Sequence, residues 1–216
     1  MKQIAILISG SGSNLEAIIN ACKSKEIHGQ VACVISNNPD AYGLERAKKF
    51  NINTRVIDHK LYLEREKFDD DLQFFLEELS PDLIVLAGFM RILGSKITDK
   101  FSDKMINLHP SLLPLYPGLN THDQVLINKD NLHGISIHYV SPALDGGPLI
   151  AQGVIKVKKN EEKNNLIDRI HKLEHKLLPK IINEFCLGKI NLVEGKVVYT
   201  DFKTLKKGFI HNYYEI

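Results

Sequence analysis

At 216 residues, with 44% hydrophobic and 25% charged side chains, the chain has the composition of one soluble globular domain. Its 28 basic and 26 acidic residues leave a formal charge of +2, which removes any general electrostatic case for binding nucleic acid or a membrane surface. Cys22, Cys33 and Cys186 are odd in number and far apart, so neither a disulfide framework nor a zinc knuckle is indicated.

The first apolar run, residues 4–8, is too short for a signal-peptide core or a membrane span, which points to the cytoplasm. Stopped by Ser9-Gly10, it reads as a buried parallel strand before a glycine loop. Leu15, Ile18, Ile19 and Cys22 follow at helical spacing. A strand at 31–35, a helix at 42–50, a strand at 54–57 and a longer helix at 61–79 come next. Pro81 ends that helix, and 83–87 is a strongly apolar strand. Strand–helix alternation of this kind implies a doubly wound, mostly parallel α/β sheet, whose ligands bind beyond the carboxyl ends of the strands. The loops at 9–13, 88–91 and 107–118 all follow predicted strands and can converge on one crevice.

The second half changes rhythm. Residues 134–140 and 152–157 read as strands whose connection is too short for a crossover helix, so they are expected as antiparallel additions to the sheet. A long amphipathic helix at 164–187 contains Pro179, where a bend is expected. Residues 189–202 resemble a hairpin turning at Glu194-Gly195, followed by a tail with Tyr213 and Tyr214. No linker divides the chain. One domain over 1–216 is expected, with a nucleotide-binding half at 1–108, a catalytic half at 109–188 and the hairpin and tail at 189–216. The lysine-rich stretch from Lys156 to Lys163 reads as a solvated turn.

Three segments can carry chemistry. Gly10-Ser11-Gly12-Ser13-Asn14, between strand and helix, lets backbone N–H groups converge on a phosphate, although a capped tight turn would look the same. It lacks the third glycine of a dinucleotide loop, and Ser36-Asn37-Asn38 offers no acid for a ribose. Asn107 and His109 alternate about Leu108 at a strand end, so they share one face, and Pro110 holds His109 extended. Asn can donate to an oxyanion, and His can donate or move a proton. Asp145-Gly146-Gly147-Pro148 is a turn that could bring Asp145 against His109 and orient its ring. His133 and His138 have no evident task. His171 and His175 share a helix face, but Glu174 does not stand where a zincin motif places its acid, so no metal is expected.

Five ordered segments then carry a resemblance: residues 8–14 (ISGSGSN), 87–93 (AGFMRIL), 107–114 (NLHPSLLP), 116–118 (YPG) and 144–148 (LDGGP). Together they resemble the phosphoribosylglycinamide formyltransferases, folate-dependent enzymes of purine biosynthesis, from Ile4 to about Pro179. The resemblance implies a one-carbon transferase with 10-formyltetrahydrofolate as co-substrate, phosphoribosylglycinamide as acceptor, no metal, and a monomer or homodimer. It implies Asn107, His109 and Asp145 as the catalytic groups, with Asn107 and Asp145 also meeting the folate. Arg65, Met90, Arg91, Ile92 and Leu93 would bind folate, and Ser141, Pro142, Ala143 and Leu144 would close over the pterin. Gly12, Ser13 and Asn14 would hold the phosphoribosyl end, and Glu174 the amine. Two positions depart from the family pattern: Leu115 where some relatives carry lysine, and Asn120 where some carry histidine. Methionyl-tRNA formyltransferases share the core but need a basic surface and a further C-terminal domain. Formyltetrahydrofolate hydrolases usually have a regulatory domain before it. A non-catalytic binding module would be expected to lack one of the three catalytic side chains.

Overall fold

A computed structural model describes residues 1–200 and 212–214. Its centre is an eight-stranded sheet in the order β10-β7-β6-β5-β4-β1-β2-β3. The parallel half comprises β1 (Lys2–Ile8), β2 (Gly29–Ser36), β3 (Thr54–Val56), β4 (Leu83–Leu86) and β5 (Met105–His109). On its other side β6 (Leu132–Tyr139) and β7 (Leu149–Lys156) add antiparallel, as expected from their short connection. A two-residue strand, β10 (Asn212–Tyr213), lies parallel on the outer edge of β7 and was not legible in the sequence.

Helices cover both faces, so β1 must be apolar on both sides. Ile4, Ile6 and Ile8 face one core with α1 (Ser13–Lys23), α2 (Tyr42–Lys49) and α6 (Lys163–Cys186). Ala5 and Leu7 face the other, against Phe68, Leu72 and Leu76 of α3 (Arg65–Leu79) and Ile97 of α4 (Ser95–Lys100). This period-two division of an unbroken apolar run is what a central strand in a doubly wound sheet requires.

The structure changes some element boundaries. The helix expected from residue 61 starts at Arg65. The Asp58 carboxylate caps a separate 3₁₀ turn, His59–Leu61, by accepting from the Lys60 N–H, and Tyr62 leaves that turn in an extended conformation. Two short helices, α4 and α5 (Thr121–Ile127), span at most two turns and give too little periodicity to be read in advance. α6 is one continuous helix through Pro179. The expected hairpin is β8 (Ile190–Val193) with β9 (Lys196–Tyr199). It turns at Glu194 and Gly195, both with positive φ as a type I′ turn demands. Residues 201–202, also expected in it, lie outside the described residues. Of the tail, Tyr214 donates its N–H to the Val154 carbonyl at 2.8 Å.

All three cysteines are free, and burial pushes the Cys22 thiol up to about 12 and those of Cys33 and Cys186 up to about 11. They are inert packing groups. No helix among the described residues is long and apolar enough to cross a membrane.

Candidate active site

The parallel strands β1, β4 and β5 end on one side of the sheet, and the loops that follow them enclose a cleft of about 1070 Å³. Its wall contains Gly12, Ser13, Asn14, Met90, Arg91, Ile92, Leu93, Asn107, His109, Ser141, Ala143, Leu144, Asp145 and Glu174. Most of the residues singled out from sequence therefore meet in one place. Arg65 and Pro142 stand outside this wall; Arg65 opens α3 with its guanidinium 3.7 Å from Glu66.

The chemical end is built by the β5–β6 ladder and the loop between β6 and β7. Antiparallel register sets Asn107 opposite His138 and His109 opposite Ser136. The chain then turns back so tightly that a Cβ on Gly147 would lie 1.8 Å from the Tyr139 carbonyl oxygen. Only glycine allows that approach, and it throws Asp145 (φ 48°) inward over β5 and β6. Its Oδ2 lies 3.4 Å from His109 Nδ1 and accepts the Gly118 N–H at 2.8 Å. Its Oδ1 lies 3.4 Å from Asn107 Nδ2 and 3.7 Å from His138 Nε2. Burial works to raise the Asp145 carboxyl. Contact with His138, the Gly118 N–H and the charge of the two imidazoles outweigh it and hold the group below the usual carboxylate range.

His138, for which the sequence suggested no task, is thus part of the cluster. The available signal was its register opposite Asn107 on a neighbouring strand, which a single sequence does not disclose. Ser136 and Gln152 were also missed. Ser136 Oγ donates to the Ser111 carbonyl at 2.7 Å and accepts the Leu113 N–H at 3.0 Å. Gln152 Nε2 donates to Ser136 Oγ and the Leu113 carbonyl at 2.9 and 2.8 Å. Together they fasten the proline-rich loop after His109 to the sheet.

At the other end, Gly12 is the left-handed cap of α1 (φ 72°), and a Cβ there would lie 2.6 Å from the Gly43 Cα. Arg46 Nε donates to the Ser11 carbonyl at 2.9 Å and its guanidinium pairs with Glu16. The loop is therefore braced with its backbone N–H groups at a helix N-terminus, a setting favourable to an anion. Asn14 Nδ2 donates to Glu174 Oε2 at 2.9 Å across the cleft. Glu174 is only 5% exposed, and burial raises its proton affinity despite the Asn14 bond and the nearby charge of His171.

Between these ends Met90, Ile92 and Leu144 expose half or more of their surface at the cleft. The 88–93 loop is tied to the glycine loop through Ser9, whose Oγ accepts the Met90 N–H at 2.7 Å and donates to Asn37. Buried Asp69 accepts the Gly94 N–H at 2.8 Å at the loop's far end. Such a slot, apolar with fixed backbone polar groups along it, suits a flat heterocycle. Asn120, one of the two departures, caps α5 with φ 59°, a conformation asparagine tolerates, and lines the cleft; Leu115 is exposed and does not. The rings of His171 and His175 stack 6.4 Å apart, and among the described residues no three His, Cys, Asp or Glu side chains are grouped to hold a metal ion.

The chain is similar to several known proteins. The profile of the family described as formyl transferase matches residues 2–182. A phosphoribosylglycinamide formyltransferase of Escherichia coli is 44% identical over 192 residues, 89% of this chain and 91% of that protein. That of Haemophilus influenzae is 42% identical over 207 residues, covering 96% and 97%. The solved structure of the phosphoribosylglycinamide formyltransferase of Coxiella burnetii, in complex with CHES, superposes with a TM-score of 0.88. It is 43% identical and the match covers 92% of this chain and 93% of that one. With sequence, fold and coverage in agreement across nearly its whole length, the chain belongs to the formyl transferase family.

Proposed function

We propose that this protein transfers the formyl group of 10-formyltetrahydrofolate to the primary amine of 5'-phosphoribosylglycinamide. The products are formylglycinamide ribonucleotide and tetrahydrofolate, in the synthesis of purines. The observation that carries the reading is the convergence of Asn107, His109 and His138 on the Asp145 carboxylate, in the same cleft as a braced glycine loop.

In this reading Gly12, Ser13 and Asn14 bind the phosphoribosyl end, and Glu174 accepts from the glycinamide amine. The folate is a second substrate, with Met90, Arg91, Ile92 and Leu93 on one side of its ring system and Ser141, Ala143 and Leu144 on the other. Arg65 and Pro142 are assigned to the folate on the family resemblance, although neither lines the wall of the cleft. The amine nitrogen attacks the formyl carbon, forming a C–N bond and an oxyanion. Asn107 donates to that oxyanion and His109 joins it once its ring has taken up a proton, while Asp145 orients His109 and takes part in moving the proton lost by the amine. As the oxyanion collapses, the bond between the formyl carbon and the folate nitrogen breaks, and that nitrogen receives a proton. The whole chain, 1–216, is assigned one formyltransferase domain, with small soluble substrates encountered in the cytoplasm.

The test is mass spectrometry of phosphoribosylglycinamide incubated with 10-formyltetrahydrofolate and the protein. A gain of one formyl group on the nucleotide is expected. Consumption of the formyl-folate with the nucleotide unchanged would replace this reading with a hydrolase, and no change in either would leave a binding module.

A further inference from the structure

Tyr116 is a non-glycine residue in the left-handed region (φ 55°), a strained conformation for an L-residue. Its side chain shows what maintains it. The phenol donates to Asp130 Oδ2 at 2.5 Å and accepts from Asn128 Nδ2 at 2.7 Å, so two polar groups around the end of α5 grip the ring's far end. At its near end the Tyr116 carbonyl lies 2.8 Å from His109 Nε2.

A carbonyl oxygen can only accept, so His109 Nε2 must carry a proton for this bond to exist. That confines the neutral ring to the Nε2–H tautomer, with its Nδ1 lone pair turned toward Asp145, 3.4 Å away. We infer that Tyr116 is a positioning residue: gripped by Asp130 and Asn128, it holds its carbonyl where it fixes the tautomer and orientation of His109. A proton reaching the ring then enters at Nδ1, opposite the Asp145 carboxylate. The proton removed from an amine is thereby delivered toward the one negative charge of the cluster rather than to the cleft's outer loop. The catalytic consequence rests on the function proposed above; the tautomer does not.

The experiment reads the two separately. Nitrogen-15 chemical shifts of the His109 ring are recorded across pH in the unmodified protein, Tyr116→Phe, Asp130→Ala and Asp130→Asn, alongside formyl transfer. The neutral His109 signal of the unmodified protein is expected as Nε2–H. Tyr116→Phe and Asp130→Ala should give averaged tautomers, a displaced pH profile and a kcat roughly 10- to 100-fold lower with little change in KM. Asp130→Asn, which keeps an acceptor for the phenol, should restore both. A merely structural role would lower thermal stability while leaving the tautomer and pH profile in place, and that result would overturn the inference. So would an Nδ1–H signal in the unmodified protein. An Nε2–H signal that collapses in Tyr116→Phe, in a protein with no formyl transfer, would keep the positioning role and reject the activity.

Discussion

The amide nitrogen of Asn107 lies 3.2 Å from Nε2 of His138, its direct partner across the β5–β6 ladder. His138 Nδ1 faces the Tyr139 carbonyl at 2.8 Å, which can only accept, so in the neutral ring Nε2 is the free acceptor. It therefore receives a hydrogen from Asn107 and sets the side-chain amide with its nitrogen toward Asp145. The orientation of Asn107 follows from these partners. His138 is thus a support for a donor, and the sheet register makes it one.

Removing the donor tests that arrangement. Asn107→Ala is expected to lower kcat on the order of 10²- to 10³-fold, the usual cost of one oxyanion donor. KM for the nucleotide should change little, because the glycine loop proposed to hold it follows β1, two strands away from β5. An equal rise in KM at constant kcat would assign Asn107 to substrate binding instead.

Asp145→Asn keeps the shape of the side chain and an acceptor for the Gly118 N–H, but removes the charge facing His109 and His138. Turnover is expected to fall by roughly 10²- to 10⁴-fold. Stability gives a second readout. The native carboxyl titrates below the ordinary aspartate range, so its ionised form stabilises the fold above the unfolded-state pKa of about 3.9. That contribution disappears as pH falls through the lower native value. The difference in stability between the two proteins should therefore be constant near neutrality and shrink in acid. Near-normal turnover in Asp145→Asn would remove this group from the mechanism.

Why most of the candidate cluster around Asp145 was legible, and parts of its support were not, has a physical explanation. Asn107 and His109 alternate on a strand end, and the glycines after Asp145 announce a tight turn, so local chemistry was enough. His138 became significant only through its pairing with Asn107, and Ser136 and Gln152 through bonds to a loop more than 20 residues away. The central strands were plain because β1 is apolar on both faces, whereas α4 and α5 are too short for a periodic signal. Arg65 was read within a long helix; the Asp58 cap breaks that helix earlier and leaves Arg65 at its first residue.

Gly12→Ala probes the other end of the cleft. The added methyl would meet the Gly43 Cα at 2.6 Å, and the position also needs positive φ. Backbone cannot yield as a flexible side chain would, so the glycine loop and the start of α2 must separate. A loss of about 1–3 kcal/mol in stability is expected, from strain and overpacking together. Nucleotide KM should rise while the binding of formyl-folate is preserved. Calorimetry with each substrate separately checks this; equal weakening of both would show that the damage spreads through the whole cleft.

Glu174 offers the sharpest pH test, because burial and its proposed role oppose each other there. Its carboxyl is nearly enclosed, meets Asn14 at 2.9 Å, and holds a proton more tightly in the folded protein than an ordinary glutamate does. Between the unfolded-state pKa, about 4.3, and the higher native value, the folded state binds more protons than the unfolded one. Stability therefore falls as pH rises through that window, and the cost is constant above it. Glu174→Gln retains an oxygen that can accept from Asn14 and abolishes the ionisation. The variant is expected to melt at a higher temperature than the unmodified protein at neutral pH, with the gap closing as the pH is lowered toward 4. It should also bind phosphoribosylglycinamide on the order of 10- to 100-fold more weakly, the cost of losing a charged hydrogen-bond partner for the amine. Thermal melts over pH 4–8 and titration calorimetry measure the two effects independently. A variant less stable at neutral pH would show that Asn14 and His171 more than offset the burial of the charge. A variant with unchanged affinity would release Glu174 from its assigned contact with the amine.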